Sequence, residues 1–223
     1  MTHFPPPLRI GIFIFDGFEP LDVWGFAEAF TISRFLGTSG TEPPPAYPFQ
    51  VLLIARELKA VRSNNGPQAL PDYDIEQAVR AHLDVLMVPG GTGTRSLITD
   101  QQVLDFLTAM DTRVGIMASV CTGAALLAKL GLLDGKPAAT NHAAFSWVVQ
   151  QGPRVLWDNV SRWVDAGHYV TSAGVSAGMD MAFYLVSRLA GRAVAELAAQ
   201  EAEYDWHRDP QQPIDYPQQA TVR

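Results

Sequence analysis

The sequence lacks several features that would place it in a large class of proteins. Its 223 residues include a single cysteine, so the chain can form neither an internal disulfide nor a cysteine-rich zinc site. Lys and Arg number 16 against 23 Asp and Glu, for a formal net charge of -7. This acidic balance, without a basic cluster, argues against nucleic acid as a partner. The single cysteine favours a reducing, cytoplasmic setting.

Long apolar runs are also missing. No stretch reaches the roughly 18 to 20 apolar residues that cross a bilayer, and the beginning, MTHFPPPLRI, lacks the pattern of a secretory signal. Neither membrane insertion nor secretion is expected. The composition, with 48% hydrophobic and 17% charged residues, is that of an ordinary globular protein. It predicts a single domain over residues 1–223, with an extended C-terminal tail from about residue 205.

The single cysteine, Cys121, lies in the stretch around which the rest of the chain is organised. The seven residues before it, VGIMASV, are typical of a strand buried on both faces, and residues 122–130 switch to helix formers. Such a junction favours a nucleophile elbow, which projects a strained side chain from the carboxyl edge of a sheet. The following helix predicts a lowered thiol pKa. A lone cysteine also fits a small buried apolar position, and spacing alone leaves the two interpretations about equal.

Carboxylates follow the first predicted strand, LRIGIFIF at residues 8–15. Asp16, Glu19 and Asp22 lie in the turn and helix start that come next, and each of them can approach the end of this strand. A carboxylate near a helix start is also often only a favourable partner of the helix dipole. The residues alone therefore leave the choice among the three open.

Two further strand ends carry small residues. The buried strand DVLMV at 84–88 runs into Gly90 and Gly91, which either expose backbone amides to a ligand or make a simple tight turn. The segment SAGVSAGMD at 172–180 repeats the pattern and places Ser172 where a strand ends and a helix begins. Strands alternate with helices along the chain, which predicts an α/β fold with a mostly parallel sheet and helices on both faces. In such folds the carboxyl ends of the strands form the site.

Six motifs in order resemble the ThiJ/PfpI superfamily, a class I glutamine-amidotransferase-like group with a cysteine elbow in a flavodoxin-like domain. They are IFDGFEPLDVWG, VPGGTGTR, ASVCTGAALLAKLGLLDGK, AATNH, TSAGVSAGMD and EYDWHRDP, and they span about residues 10–210. The sequence Cys-Thr-Gly at the elbow is similar to the isocyanide hydratase branch, whereas protease-like members have Cys-His-Gly. The pair Asn141-His142 departs from the Thr-His-Trp of the hydratase branch and leaves the substrate open.

The resemblance implies roles for particular residues. Cys121 is implied as the nucleophile, Asp22 as the catalytic carboxylate and Thr122 as the neighbouring hydroxyl. Gly90 and Gly91 are implied as a wall of the same pocket. Ser172 joins them as a substrate-binding candidate because it lies at the same predicted edge.

The implied activity is hydration of an organic isocyanide to an N-substituted formamide, with no cofactor, no metal and a homodimer as the assembly. Other activities stay open: hydration of a 2-oxoaldehyde, a Cys-dependent amidase using His142 or His168, or a small-molecule or redox sensor. A regulator with DNA-binding helices is disfavoured because little sequence follows Tyr204. The histidines are scattered, and Glu203 with His207 fits a surface pair as well as a metal site.

Overall fold

The structure is a computed structural model and describes residues 6–35 and 47–212. Its strands, β1 to β11 in chain order, are Leu8–Phe13, Phe49–Ala55, Val61–Arg62, Gln68–Ala69, Tyr73–Asp74, Val85–Val88, Ile116–Val120, Pro137–Ala139, Leu156–Asp158, Trp163–Ala166 and Tyr169–Ser172. Its helices, α1 to α8, are Pro20–Thr31, Ile75–Arg80, Thr94–Leu97, Gln101–Asp111, Ala124–Lys129, Phe145–Val149, Ser176–Ala190 and Arg192–Glu201. None of the helices in this part of the chain is long and apolar enough to cross a bilayer.

Seven strands form the main sheet in the order β10-β11-β7-β6-β1-β2-β5. All neighbours are parallel except the edge pair of β10 and β11, which is an antiparallel hairpin. Counted in chain order, β1, β2, β6, β7 and β11 follow the order 2-1-3-4-5 of flavodoxin-like sheets. The predicted mostly parallel α/β fold is confirmed.

Burial on both faces explains why the central strands are continuous apolar runs. Every residue of β6 and β7 is buried. On one face α1 packs against α7, and α7 packs against α8. In the sheet, β2 lies on one side of β1, whereas β7 lies on the opposite side of β6. Because both crossovers are right-handed, the helices that make them, α1 and α4, pack on opposite faces of the sheet. The strand order therefore reverses between β1 and β6, where ligands bind in this class of sheet.

Several element boundaries differ from the sequence prediction. The first strand ends at Phe13 and not at residue 15, and the helix after Cys121 begins with one 3₁₀ turn, Cys121–Gly123. The short strand β9 pairs with β8 and was not predicted, since its three residues carry no clear period. Helix α4 begins after Asp100, whose side chain accepts from Val103 N and caps the helix. The stretch at 37–48 is rich in Gly and Pro, which predicts a surface loop, and most of it lies outside the described residues.

The C-terminal segment at 204–212 has no helix or strand, and it is anchored to the domain. Asp180 is fully buried and accepts hydrogen bonds from Tyr204 Oη and His207 N, each at 3.0 Å. Arg162 Nε donates to the same carboxylate at 2.7 Å, and Arg162 N donates to Pro210 O. A buried ion pair therefore holds this segment against α7 and β10.

Candidate active site

Cys121 occupies the turn between β7 and α5 in a strained backbone conformation. Its φ is +59°, in the left-handed region that non-glycine residues rarely adopt. Neighbouring elements hold it there, because Cys121 N donates to Ala173 O at 3.2 Å and Thr140 Oγ1 donates to Cys121 O at 2.8 Å. The turn has the geometry of a nucleophile elbow.

The glycine pair after β6 lies against this turn. A Cβ on Gly90 would lie 2.7 Å from Cys121 Cβ and 2.8 Å from Cys121 Sγ. Gly91 has a φ of +125°, and a Cβ there would lie 2.1 Å from Gly17 O. Both positions therefore require glycine, one for close approach and the other also for its backbone conformation. The backbone at 90–91 forms a wall beside the sulfur.

The structure separates the three carboxylates that follow β1. Asp22, in the first turn of α1, is fully buried, and its Oδ2 accepts from Gly90 N at 2.7 Å. Its Oδ1 is also buried and makes no hydrogen bond of ordinary geometry with the described residues. Asp16 is exposed and accepts from Arg62 N, whereas Glu19 is half-buried and accepts from Asn64 Nδ2. Of the three, Asp22 is the one buried next to the thiol.

Burial changes the ionisation of both Asp22 and Cys121. It raises the pKa of Asp22 from 3.8 to about 7. The charge of Glu19 also raises this pKa, whereas hydrogen bonds from Gly90 and Cys121 lower it. Burial also raises the pKa of Cys121, and the adjacent charge of Asp22 raises it further. Hydrogen bonds from the Thr122 amide and hydroxyl act in the opposite direction and lower it. The lowered thiol pKa expected from the helix start is wrong, because α5 has six residues and desolvation outweighs its dipole. The charge of Asp22 therefore disfavours the thiolate, and the hydrogen bond with Cys121 favours the carboxylate.

The Thr122 hydroxyl is held by the loop that contains Gly90 and Gly91, the glycine loop. Thr122 Oγ1 accepts from Gly91 N at 3.0 Å and lies 3.1 Å from Thr94 Oγ1. Thr94 is fully buried and donates to Gly91 O at 2.7 Å. Thr94 could not be singled out from the sequence, because one threonine in the polar run TGTRS carries no local signal. Its role depends on a contact with a residue 28 positions away.

Comparison with known proteins identifies the family of the chain. Residues 8–188 match the model of the DJ-1/PfpI family. The chain belongs to this family. "Isonitrile hydratase" of Pseudomonas putida is 36% identical over 155 residues, which are 70% of this chain and 66% of that protein. "HTH-type transcriptional regulator GbdR" of Pseudomonas aeruginosa is 28% identical over 205 residues, 92% of this chain and 53% of the regulator. The chain thus spans about half to two thirds of the length of these relatives.

Solved structures show the same DJ-1/PfpI fold. A "THiJ/PfpI family protein" from Pseudomonas syringae superposes with a TM-score of 0.78 and 25% identity, covering 97% of this chain and 79% of the other. DJ-1beta of Drosophila melanogaster superposes with a TM-score of 0.76 and 20% identity, covering 90% of this chain and all of the other. The predicted superfamily is confirmed.

Ser172 lies one strand away from the elbow of this DJ-1/PfpI domain. It pairs with Val120 in the register of β11 on β7 and is fully buried. Its Oγ makes no hydrogen bond with the part of the chain that the structure describes. Contact between Ser172 and a substrate stays a prediction.

The two histidines considered for an amidase have different positions. His168 comes just before β11 and lies at the amino end of the parallel strands, where it contacts Asp111 Oδ1 and Gly115 O, each at 3.1 Å. Cys121 follows β7 at the opposite, carboxyl end, so His168 cannot serve as its base. Burial lowers the pKa of His142, which is half-buried and interacts with the charge of Asp158.

Asn141 has a structural role beside the site. Its Oδ1 accepts from Ala144 N at 2.9 Å, and its Nδ2 would lie 2.4 Å from a Cβ on Gly174. The next residue, Val175, has a φ of +43°, which is strained for a β-branched side chain. Asn141 therefore packs directly against the loop that joins β11 to α7.

Proposed function

We propose that this DJ-1/PfpI protein is a cysteine-dependent hydratase that converts an organic isocyanide to an N-substituted formamide. One observation carries the proposal: a carboxyl group, Asp22, is buried beside the Cys121 thiol and has a pKa raised to about 7. A group that takes up and releases protons is most effective when its pKa is near the working pH. The identity of 36% to isonitrile hydratase supports the choice of reaction.

The first step forms a covalent intermediate. Cys121 passes its proton to Asp22, which removes the unfavourable charge beside the sulfur, and the thiolate attacks the terminal carbon of the isocyanide. Asp22 delivers the proton to the same carbon. One S–C bond and one C–H bond form, and the product is a thioimidate, Cys–S–CH=N–R. Covalent attachment divides one difficult addition into two easier steps.

The second step uses the same carboxylate as a base. Asp22 takes a proton from water while the water oxygen adds to the thioimidate carbon, and this proton then passes to nitrogen. The C–S bond of the tetrahedral intermediate breaks, the hydroxyl proton returns through Asp22, and R–NH–CHO leaves. The sum is isocyanide plus water, and no metal or organic cofactor takes part in either step.

The surrounding groups complete these roles. The Thr122 amide and hydroxyl hydrogen-bond to the sulfur and favour the thiolate. The buried Asp22 Oδ1, which makes no hydrogen bond of ordinary geometry with the described residues, is available to a proton of substrate or water. Gly90 and Gly91 leave the space in which a small substrate reaches the sulfur, and Ser172 contributes a hydroxyl at the same edge.

Replacing Cys121 with alanine tests the nucleophile. We expect Cys121→Ala to lose hydration of alkyl isocyanides entirely, because no thioimidate can form, while its fold is retained. Purified wild type and variant are compared on a panel of alkyl isocyanides, 2-oxoaldehydes and amides, with mass spectrometry of the products. Wild-type rates of isocyanide hydration in Cys121→Ala would rule out the mechanism. Wild-type activity on 2-oxoaldehydes or amides alone would reassign the substrate within the family.

A second candidate is a sensor domain that binds a small molecule. The likeness to regulator GbdR favours it, because that alignment covers 92% of this chain and includes the whole site. Binding without product formation, or specific oxidation of Cys121 by mild peroxide without turnover, would favour the sensor over the hydratase.

We also propose a homodimer built on α1. This helix exposes Leu21 and Trp24, at 41% and 43%, in the turns that carry Asp22. Two large apolar side chains next to the site are the kind of surface that a second copy covers. Light scattering should give twice the mass of the chain for wild type, and Trp24→Glu should shift it to the monomer. A monomeric wild type would refute the assembly.

A further inference from the structure

Glu19 places a negative charge beside the glycine loop that the proposed chemistry does not use. It follows β1 at the carboxyl edge of the sheet, and its N donates to Gly90 O at 2.8 Å. Gly90 in turn lies against the sulfur, since a Cβ there would lie 2.8 Å from Cys121 Sγ. The amide of the same residue, Gly90 N, donates to Asp22 Oδ2 at 2.7 Å. Gly90 therefore links Glu19 to both the thiol and Asp22.

The side chain of Glu19 has no structural role that accounts for its charge. Glu19 is the N-cap residue of α1, but its carboxylate makes no capping hydrogen bond with this helix. Within the part of the chain that the structure describes, no basic side chain forms an ion pair with it. A half-buried charge without a cation is unfavourable for folding, which favours a functional role.

Asn64, in the turn between β3 and β4, fixes the position of the Glu19 carboxylate. Its Nδ2 donates to Glu19 Oε2 at 3.3 Å, and its Oδ1 accepts from Thr92 Oγ1 at 2.6 Å. The backbone of Asn64 is held as well, because its N donates to Phe18 O at 2.8 Å. The turn therefore holds the carboxylate next to the glycine loop.

We propose that Glu19 is a specificity-determining residue, which rejects anionic molecules at Cys121 and favours isocyanides whose substituent is neutral or carries an ammonium group. This substrate class rests on the proposed function. The charge of Glu19 acts on both reacting groups, because it raises the pKa of Asp22 and of Cys121. An incoming carboxylate meets the same repulsion, whereas an ammonium group is attracted.

Alkylating reagents of different charge test the proposal at the thiol itself. Iodoacetamide is neutral and iodoacetate is an anion, and both react with the thiolate of Cys121. The ratio of the iodoacetamide rate to the iodoacetate rate cancels any change in the amount of thiolate. The rates are measured at about pH 9, above the pKa of about 7 of Asp22, so that this carboxylate is ionised throughout.

Replacing Glu19 with glutamine removes the charge and nearly preserves the shape. At about 10 mM salt, Glu19→Gln should lower the ratio about threefold to tenfold, the effect of one unit charge in partly aqueous surroundings. At about 1 M salt the variant and wild type should agree, because the screening length falls to about 3 Å.

Matched variants separate the charge of Glu19 from its shape and from the net charge of the protein. Glu19→Asp keeps the charge on a shorter side chain and should keep most of the selectivity. Glu76→Gln removes a carboxylate from an exposed residue of α2, beside the edge strand β5, and should match wild type. Glu19→Ala should lower the ratio as well, and it provides a second uncharged variant if Glu19→Gln does not fold.

Isocyanide hydration extends the test to the substrate. In Glu19→Gln, kcat/KM for an isocyanide that carries a carboxylate should rise about threefold to tenfold relative to kcat/KM for a neutral alkyl isocyanide. The comparison of two substrates in one variant removes any common effect on turnover. An unchanged relative kcat/KM would contradict the selection of substrate charge by Glu19.

The outcomes distinguish this inference from the proposed function. An unchanged alkylation ratio in a folded Glu19→Gln protein, or a change that salt does not reduce, would overturn the role of Glu19 even if isocyanides are hydrated. A lower ratio that salt abolishes supports charge selection at Cys121 even in a protein that hydrates no isocyanide. In that second case the hydratase proposal alone fails.

Discussion

Replacing Asp22 with asparagine should stabilise the folded protein above neutral pH while it strongly slows isocyanide hydration. Asparagine keeps the size of the side chain and an oxygen that can accept from Gly90 N, at 2.7 Å in the wild type. Only the charge is lost. The pKa of Asp22 is raised from 3.8 to about 7, mainly by burial. This difference corresponds to about 4 kcal/mol that disfavours the ionised carboxylate in the folded state.

The sign of the pH dependence follows from proton binding. The unfolded chain releases the Asp22 proton near pH 4 and the folded chain near pH 7, so the folded state binds more protons between these values. Wild-type stability therefore falls as the pH rises from about 4 to about 7, and the full penalty of about 4 kcal/mol is present above that range. The asparagine side chain of the Asp22→Asn variant does not titrate, so the variant should escape this loss.

Urea unfolding followed by tryptophan fluorescence measures the effect. At about pH 8 the free energy of unfolding of Asp22→Asn should exceed that of wild type by up to about 4 kcal/mol, and near pH 4 the two should agree. The kcat for hydration should fall by about 10² to 10⁴, the usual contribution of a general acid or base. Asp16→Asn, at an exposed carboxylate, should follow wild type in both measurements. A stability difference that is the same at both pH values would refute the buried, raised pKa.

Three further predictions follow from contacts around the site and the tail. Gly90→Ala should lower turnover by about a hundredfold or more without unfolding the protein, because its Cβ would lie 2.8 Å from Cys121 Sγ and displace the nucleophile. Asp180→Asn should lower the free energy of unfolding by about 3 to 5 kcal/mol in urea titrations, since it leaves the buried Arg162 charge unpaired. His168→Gln should leave kcat and its pH profile unchanged, because this side chain lies at the far end of the strands.

Each of these predictions has a contrary result. Full activity in Gly90→Ala would mean that the glycine loop does not touch the reacting sulfur. Arg192→Gln, which breaks an exposed pair with Glu196, is the control for Asp180→Asn and should cost less than about 1 kcal/mol. An equal loss of unfolding free energy in Asp180→Asn and Arg192→Gln would mean that the ion pair of Arg162 with Asp180 behaves as an exposed pair and not a buried one. A loss of turnover in His168→Gln would contradict the strand directions.

The position of Cys121 could be predicted because its signal is local. An apolar run long enough for a strand buried on both faces meets a run of helix formers, and the residue between them must turn sharply. Gly90 and Gly91 were predictable for a similar reason, since two adjacent glycines after a buried strand mark a close approach. His168 stayed open as a candidate base in the sequence, and only the parallel pairing of β11 with β7 placed it at the amino end of the strands, away from Cys121.

The choice among Asp16, Glu19 and Asp22 needed the tertiary structure. All three lie within seven residues, and which one faces the sulfur depends on where α1 begins and how it rotates against the sheet. Thr94 was invisible for the same reason, because its partner Thr122 reaches it only when β6 and β7 lie side by side.

By itself, the sequence determined the alternation of the main strands and helices, the elbow at Cys121 and the family, since these depend on local apolar patterns and on motifs read along the chain. Only the tertiary structure decided that the thiol pKa is raised and not lowered. The pKa of the thiol is a sum of contributions from burial and from charges and hydrogen bonds in α1, the glycine loop and the elbow. The hydrogen bonds that join these segments link residues that are 68 and 31 positions apart in the sequence. Such a sum exists only after folding has brought the segments together.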